Sequence, residues 1–277
     1  MNKIAIVTDS TSDIPENLAQ ELGISVVPAI LILDGREYLD GESITREEYY
    51  DRLPTFSPPP TTSAPSSGMF ASMYQDLFQK GYDMICSVHA ASTLSGIYNA
   101  ARVAAEGFKN RVTVVDSGQI SMGLGFQAIG AARAAAEGSI DRVVETIASV
   151  RQRIKVVAML DTLEQLKRSG RVSWVRSSLG SLLKIKLFLE VQDGNVLRLG
   201  EARTRSKGIL RLAEMLENLG PLEYLAVVHT NALDDAKNFA EQFSPLVPEI
   251  PLIRNVTTVI GTHVGVRGLG FVAVKAE

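Results

Sequence analysis

Residues 83–98 read DMICSVHAASTLSGIY, and this stretch decides the fold class. Asp83–Val88 is an apolar run of strand length, and the polar loop after it leads into a helical pattern over Ser95–Gly107. A second apolar run, Val112–Val115, follows that helix. Strands that alternate with helices in this way predict a parallel sheet that is covered by helices.

The alternation continues in both directions and predicts two α/β domains, which suits a chain of 277 residues because one domain averages about 150. Ile4–Val7 and Ser25–Leu33 supply further strands of the first domain. In the second half, the turn signal Asp193-Gly194 predicts a hairpin and therefore antiparallel pairing. The predicted organisation is an N-terminal parallel-sheet α/β domain over residues 1–153 and a C-terminal α/β domain with a mixed or antiparallel sheet over residues 154–277.

Composition and charge exclude several classes of protein. The chain has 28 Lys and Arg against 31 Asp and Glu, a formal net charge of −3, which is too little positive charge for general nucleic-acid binding. Its strongest apolar run, Val26–Leu33, is far shorter than the ~20 residues that a membrane-spanning helix needs. The first residues lack the pattern of a secretory signal, so we expect a cytoplasmic protein without a membrane span.

The usual metal and nucleotide motifs are missing from the sequence. The single cysteine, Cys86, predicts a buried core residue, and His89, His229 and His263 lack the spacing of metal ligands. A P-loop pattern and a nucleophile-elbow pattern do not occur. The stretch Gly123–Ala128 matches the dinucleotide pattern formally, but it lies far from the preceding strand, and we interpret its glycines as close helix packing. We therefore predict no metal and no cofactor.

Two hydroxyl-rich loops are the strongest candidates for a binding site. Thr61-Thr62-Ser63-Ala64-Pro65-Ser66 precedes one predicted helix, and Ala91–Tyr98, which carries Ser92, Ser95 and Gly96, precedes another. Hydroxyls and free amides at a helix start can hold an anion, although the same residues also serve as caps and turns. The segments Asp9–Ser12 and Asp116–Gly118 follow neighbouring predicted strands, so we expect these two segments and Ala91–Tyr98 to share one sheet edge and form a pocket.

A second group of candidates lies in the C-terminal half. His263 stands in Gly261-Thr262-His263-Val264-Gly265, a stretch that predicts a flexible segment between two apolar strands, where the histidine either approaches a ligand or is a satisfied structural residue. From Gln165 to Leu189 the chain carries cations and no acidic residue. With Arg203 nearby, this run suits a phosphate or a partner's carboxylates, or it is an ordinary solvated face. Its cations are Lys167, Arg168, Arg171, Arg176, Lys184 and Lys186.

Five landmarks occur together and in order along nearly the whole chain, and with them the sequence resembles the DegV family of bacterial fatty-acid-binding proteins. The landmarks are Thr8-Asp9-Ser10-Thr11-Ser12-Asp13, Thr62-Ser63-Ala64-Pro65-Ser66, Leu94-Ser95-Gly96-Ile97-Tyr98, Gly170-Arg171-Val172-Ser173 and Ile260-Gly261-Thr262-His263-Val264-Gly265. The resemblance implies two α/β domains with one long-chain fatty acid, such as palmitate, stearate or oleate, between them.

The resemblance also implies roles for individual residues. The acyl carboxylate would be held at the two hydroxyl loops, and the protein would be the lipid-carrying, non-catalytic subunit of a fatty acid kinase, whose separate catalytic subunit phosphorylates the acid. The ligand-binding residues implied are Thr61, Thr62, Ser63, Ser92, Ser95, Gly96 and His263, and those facing the partner or the acyl phosphate are Arg171, Arg203 and His263.

Two departures from the family pattern and one alternative remain. Ala64 stands where relatives usually carry glutamine, which we expect to enlarge or dry the head-group region. Val266-Arg267 stands where most relatives carry Pro-Gly, which removes a rigid turn and places a cation beside His263. The alternative function is a sugar- or triose-type phosphotransferase, in which the hydroxyl loops hold a small polar substrate and His263 carries a covalent adduct.

Overall fold

The computed structural model describes residues 2–172 and 185–277. In chain order its strands and helices are β1 (Ile4–Asp9), α1 (Glu16–Glu21), β2 (Ile24–Val27), β3 (Ile30–Leu33), β4 (Arg36–Leu39), α2 (Arg46–Arg52), β5 (Thr61–Ser63), α3 (Ser67–Gln79), β6 (Met84–His89), α4 (Ile97–Ala105), β7 (Val112–Asp116), α5 (Met122–Ala135), α6 (Ile140–Arg153), β8 (Ile154–Leu160), α7 (Glu164–Ser169), β9 (Lys186–Gln192), β10 (Asn195–Ala202), α8 (Arg205–Glu217), β11 (Leu222–His229), α9 (Leu233–Phe243), β12 (Leu252–Asn255), α10 (Thr258–Val264) and β13 (Leu269–Lys275).

These elements divide into two compact units. Unit 1 comprises Met1–Ile30 and Thr62–Gln152, and unit 2 comprises Leu31–Thr61 and Arg153–Glu277. The sequence-based boundary after residue 153 lies one residue from this division. Residues 31–61, which we expected in the first domain, cluster with unit 2, and the reason is a pair of buried tyrosines on α2. The Tyr49 hydroxyl lies 2.6 Å from Thr262 Oγ1, and the Tyr50 hydroxyl donates to the Val256 carbonyl at 3.0 Å.

Unit 1 contains the predicted parallel sheet. Its strand order is β2-β1-β6-β7, and all three neighbouring pairs are parallel. Each residue of β1 is buried, as expected for a central strand that has helices on both faces of its sheet. Because parallel strands have their carboxyl ends at one edge, the loops that follow β1, β6 and β7 meet there. The hydroxyl loop at Ala91–Tyr98 is one of them.

Unit 2 contains a six-stranded mixed sheet of order β10-β9-β8-β13-β11-β12. The β9–β10 hairpin turns at Asp193-Gly194, as predicted, and only the β11–β12 pair is parallel among the pairs of this sheet in the described chain. Aromatic residues on β9, β13 and α9, including Phe188, Phe239 and Phe271, build its core. Three further short strands form a separate sheet of order β4-β3-β5.

Two local details differ from the sequence-based expectation. The predicted strand Ser25–Leu33 is interrupted between β2 and β3, because Pro28 has no amide hydrogen to donate to a ladder. An aspartate shortly before a proline is typical of a helix start, but Asp13 adopts a left-handed conformation, with φ 57°, and α1 begins only at Glu16. In the described parts of the chain, none of the helices has both the length and the apolar character needed to cross a membrane.

Candidate functional site

The candidate head-group site in unit 1 is built on two helix starts. Ser66 caps α3, because its Oγ accepts a hydrogen bond from the Met69 amide at 3.3 Å. Ser95 Oγ similarly accepts from the Ile97 amide at 3.3 Å, just before α4. A serine hydroxyl that accepts one bond still carries a proton to donate, so Ser95 keeps a donor for a ligand.

The two hydroxyl loops approach each other closely. A Cβ atom built on Gly96 would lie 3.6 Å from Ala64 Cβ, in ordinary van der Waals contact. Thr62 and Ser95 are half-buried. The structure therefore brings Thr62 and Ser63 to the same place as Ser95 and Gly96, while Thr61, Ser63 and Ser92 are exposed. This is the arrangement that a ligand contacting both loops needs.

A chain of four fully buried polar side chains lies at the carboxyl ends of β1 and β6. His89 Nδ1 is 3.0 Å from Asp9 Oδ2, His89 Nε2 is 2.7 Å from Ser87 Oγ, and Ser87 Oγ is 2.8 Å from the Tyr74 hydroxyl. Because a carboxylate can only accept, Nδ1 donates to Asp9; in a neutral ring Nε2 accepts from Ser87. The order of groups resembles a serine–histidine–aspartate triad. All four side chains are 0% exposed, so we interpret this hydrogen-bonded series, Asp9–His89–Ser87–Tyr74, as a structural support and call it the brace.

Asp9 joins the brace to the loops. Its Oδ1 accepts from the Thr11 amide at 3.0 Å and from the Thr11 hydroxyl, and its Oδ2 also accepts from the Ala90 amide at 3.2 Å. One carboxyl group thus fixes the start of the loop after β1 and the start of the loop after β6. The second of these loops carries Ser95. The brace is therefore a support for the candidate site.

Neighbouring polar contacts tie in the remaining loops of this edge. Ser121 Oγ donates to Asp13 Oδ2 at 2.6 Å, and the Asp116 carboxylate accepts from the Ser92 amide at 3.2 Å. Thr11 and Ser12 are buried, at 4% and 1% exposure. Their loop was expected to contribute hydroxyls to a pocket; in the structure these two side chains are buried inside unit 1 instead, because Asp9 and the packing of α5 hold that loop down. Sequence reasoning did not predict that these two side chains would be buried.

The electrostatic character of the site suits a single carboxylate. A helix N-terminus presents unpaired amide hydrogens and a partial positive charge, and two such ends lie together here. Nearby hydroxyls add neutral donors.

The adjacent helix α5 is buried along most of its length, and Gly125 packs so tightly that a Cβ there would lie 2.6 Å from the Ser12 carbonyl oxygen. The glycines near 123–128 thus serve close packing. Cys86 is buried, which raises the pKa of its thiol to about 12.

His263 lies in unit 2, on the last turn of α10. The expectation of a flexible segment was wrong, because Gly261 is inside that helix and packs against Tyr50. A Cβ on Gly261 would lie 2.3 Å from the Tyr50 hydroxyl oxygen, so the glycine permits close approach. Burial, with a smaller contribution from the charge of Arg171, lowers the pKa of His263 to about 4. The imidazole is therefore neutral near pH 7.

The cationic candidates have different surroundings. Arg171 is exposed directly after α7 and is close enough to influence His263, and Arg203 is exposed before α8. Arg267, with φ 61°, occupies the left-handed region that favours glycine, and its Nε lies 3.8 Å from Asp161 Oδ2. Lys186 is also paired with Asp161, at 3.0 Å. Ser173, Arg176 and Lys184 lie outside the described residues.

Comparison with known proteins identifies the family. A family model described as "Uncharacterised protein, DegV family" matches residues 3–276. A DegV domain-containing protein of Caldanaerobacter subterraneus subsp. tengcongensis is 35% identical over 276 residues, which cover 96% of each chain. A solved DegV family protein from Thermus thermophilus, described by its fatty acid binding, matches with a TM-score of 0.91 and 32% identity over 100% of both chains.

A second solved structure agrees with the first. DegV from Bacillus subtilis, described as a fatty acid binding protein, matches with a TM-score of 0.88 and 29% identity, and the match covers 99% of this chain and 100% of that one. The α/β fold with one parallel and one mixed sheet is thus confirmed by both the structure and its neighbours. Since the family model spans nearly every residue that builds the two units, this protein belongs to the DegV family.

Proposed function

We propose that this protein binds one long-chain fatty acid and that the two hydroxyl loops of unit 1 hold its carboxylate. The observation that carries the proposal is the close approach of Ala64 and Gly96, which brings the loop of Thr62, ahead of α3, next to the loop of Ser95, ahead of α4. Membership of a family whose solved members from Thermus thermophilus and Bacillus subtilis are described as fatty acid binding supports it.

The tail and the head group of a fatty acid contribute differently to binding. Each buried methylene contributes about 0.8 kcal/mol, so an acyl tail supplies most of the affinity. The head group needs only neutral donors, and Ser95 keeps one after accepting from the Ile97 amide. The buried, apolar helix α5 of unit 1 is our candidate for contact with the tail.

Calorimetric titration of delipidated protein with oleate tests this assignment. We expect the double variant Thr62→Ala/Ser95→Ala to bind at least about tenfold more weakly, because two hydrogen bonds to a charged group are lost. Ser206→Ala, an exposed serine on α8, is the matched control and should bind like the original protein. Full affinity in the double variant would show that the head group lies elsewhere.

A series of acids from eight to eighteen carbons, with about 0.8 kcal/mol expected per methylene until the site is full, separates this function from its alternative. If the protein is instead a phosphotransferase for a small polar substrate, the affinity should not depend on the length of the acyl chain. Such a result, together with a phosphorylated His263, would replace the lipid function.

The bound acid, in this proposal, is presented to a separate kinase subunit, and one carboxylate oxygen takes the phosphoryl group that the kinase supplies. Arg171, beside the neutral His263, and Arg203 serve the partner or the acyl phosphate; both arginines are exposed. Arg171→Ala and Arg203→Ala should keep the affinity for oleate and lower acyl-phosphate formation, measured with the kinase. Lys207→Ala is the control on the same unit, and lost oleate binding would instead move the arginines into the lipid site.

A further inference from the structure

Unit 2 contains a cavity of about 350 Å³ that the proposed lipid function does not use. The lining residues are Arg46, Glu47, His229, Asn231, Leu233, Lys237, Ile253, Arg254 and Asn255. None of them is a residue that we assign to the carboxylate, the kinase partner or the acyl phosphate. The cavity lies where the parallel pair β11–β12 ends, since His229 and Asn255 are partners in the last position of that register. Crevices at the carboxyl ends of parallel strands are common ligand sites in α/β sheets.

The charge of the lining favours an anion. Three side chains, Arg46, Lys237 and Arg254, are cationic, and a single carboxylate, Glu47, opposes them. The remaining polar groups are His229 and two asparagine amides. A net lining charge of two positive units matches a phosphomonoester, which carries about −1.5 to −2 at pH 7, better than it matches a monoanionic carboxylate. Guanidinium groups also fit the geometry of phosphate oxygens.

The polar groups at this site are held in place by the protein. The Arg46 guanidinium donates to the Asn255 carbonyl, Asn255 Oδ1 accepts from the Asn231 amide at 3.1 Å, and Asn255 Nδ2 lies 3.4 Å from Glu47 Oε1. These contacts fix the direction of the side chains before a ligand arrives. Preorganised donors lose less entropy on binding than mobile ones.

His229 adds a neutral donor. Its Nδ1 accepts from the Ala232 amide at 3.2 Å, so the neutral ring carries its proton on Nε2. Burial lowers the pKa of this histidine to about 4, Glu47 opposes the shift, and Arg254 and Arg46 reinforce it. Among the charged groups that act on the ring, the Glu47 carboxylate has the largest effect, and the guanidinium groups of Arg254 and Arg46 oppose it.

We propose that this cavity of unit 2 binds a small phosphomonoester, with Arg46, Lys237, Arg254 and His229 around the phosphate and Leu233 and Ile253 against its organic part. The volume exceeds what a bare phosphate fills, since one liquid water occupies about 30 Å³. Leu233 and Ile253 make the remaining space partly apolar, which favours a ligand with an organic group on its phosphate.

An NMR titration of the full chain with phenyl phosphate tests the proposal. We expect saturable shifts at the amides of Asn231, Ala232 and Arg254, with a Kd below about 1 mM at moderate salt. Phenol and inorganic phosphate should each bind more weakly, because one lacks the charge and the other lacks the apolar part. The absence of saturable shifts at these amides would overturn the proposal.

Variants decide whether the named cations carry the binding. Lys237→Gln on α9 and Arg254→Gln on β12 should each weaken phenyl phosphate at least about tenfold, the loss of one charge-assisted interaction. Lys207→Gln, which changes an exposed lysine in the first turn of α8, should leave the affinity unchanged. Equal weakening in all three variants means non-specific attraction and contradicts a built site. Binding of vesicles that contain phosphatidic acid, without binding of phenyl phosphate, would replace the soluble ligand by a lipid headgroup and also overturn the proposal.

Discussion

Two histidines end two buried strands, and they differ in chemistry although their positions along the chain are alike. His89 is the last residue of β6, and His229 is the last residue of β11. Both are almost fully buried, at 0% and 4% exposure. His89 is bonded through both ring nitrogens to protein side chains. His229 accepts one backbone amide and otherwise lines a cavity with two arginines.

The residue two positions earlier explains much of the difference. Side chains at i and i−2 share one face of a strand, so Ser87 accompanies His89 and Val227 accompanies His229. The Ser87 hydroxyl reaches the Nε2 of its histidine inside the core, whereas Val227 has no polar atom to offer. A carboxylate, Asp9, completes the first environment, whereas at the second the charges of Glu47, Arg254 and Arg46 act on the ring without a hydrogen bond to it from their side chains among the bonds described. One histidine therefore braces a fold and the other is free to serve a ligand.

The largest expected effect comes from removing the carboxylate of the brace. Asp9→Asn keeps the shape but gives one end of the side chain two donors, which then face the Ala90 amide, His89 Nδ1 or Thr11. We expect the free energy of unfolding to fall by about 3–5 kcal/mol, because several hydrogen bonds to a buried carboxylate, worth about 1.5–3 kcal/mol each, are lost or weakened together. Urea denaturation measures it. Asp76→Asn, on the exposed face of α3, is the control and should change stability by less than about 0.5 kcal/mol.

A fall of less than about 1 kcal/mol for Asp9→Asn would contradict the brace. The same variant also connects stability to the candidate site, because Asp9 fixes the start of the loop that carries Ser95. We therefore expect its affinity for oleate to fall even at temperatures where the variant is folded.

The second effect is a pH dependence that belongs to His229. Its pKa is about 4 in the folded protein against 6.5 for the free side chain. The unfolded chain therefore binds the proton first as pH falls, and the folded state loses stability between about pH 6.5 and pH 4, by up to about 3 kcal/mol. Above pH 6.5 both states are neutral and the contribution is constant.

Comparison with His229→Gln isolates that contribution from the other titrating groups. Urea denaturation of both proteins at pH 7 and pH 4.5 should show a smaller loss of stability in the variant. Equal losses would mean that burial does not lower the pKa of this histidine in the folded protein. A bound phosphomonoester should raise the pKa of His229, since an anion favours the charged ring.

The sequence predicts most of the fold because its strands and caps are local signals. β1, β6 and β7 are apolar runs, and Thr45 with Glu48 has the spacing of a capping box, in which Thr45 Oγ1 accepts from the Glu48 amide at 3.1 Å at the start of α2. Helix α10 was mistaken for a flexible segment because its glycine-rich sequence makes sense only against Tyr50. That contact joins residues far apart in the chain.

The candidate sites, like the fold, could be predicted only where the signal is local in the sequence. The hydroxyl loops were found from their places after strands and before helices, and the assignment of Thr62 and Ser95 to a carboxylate stays a prediction. The Asp9–His89 pair joins residues 80 positions apart, so local patterns do not reveal it. A usable signal existed: both residues end neighbouring strands of a predicted parallel sheet, where carboxyl ends meet. The cavity at His229 depends on Arg46, from a segment that sequence reasoning placed in the other domain.

The smallest effect concerns the serine that distinguishes the two histidines. Ser87→Ala gives β6 the apolar character that Val227 gives β11, and it removes one partner each from His89 and Tyr74. We expect a loss of about 1–2 kcal/mol in the free energy of unfolding, because two buried polar groups lose a bond. Tyr74→Phe should cost about 1 kcal/mol alone and less in the Ser87→Ala background, since the hydroxyl then has no partner to lose. Strict additivity would mean that the two hydroxyls do not act as one chain, and the contrast between His89 and His229 would then rest on Asp9 alone.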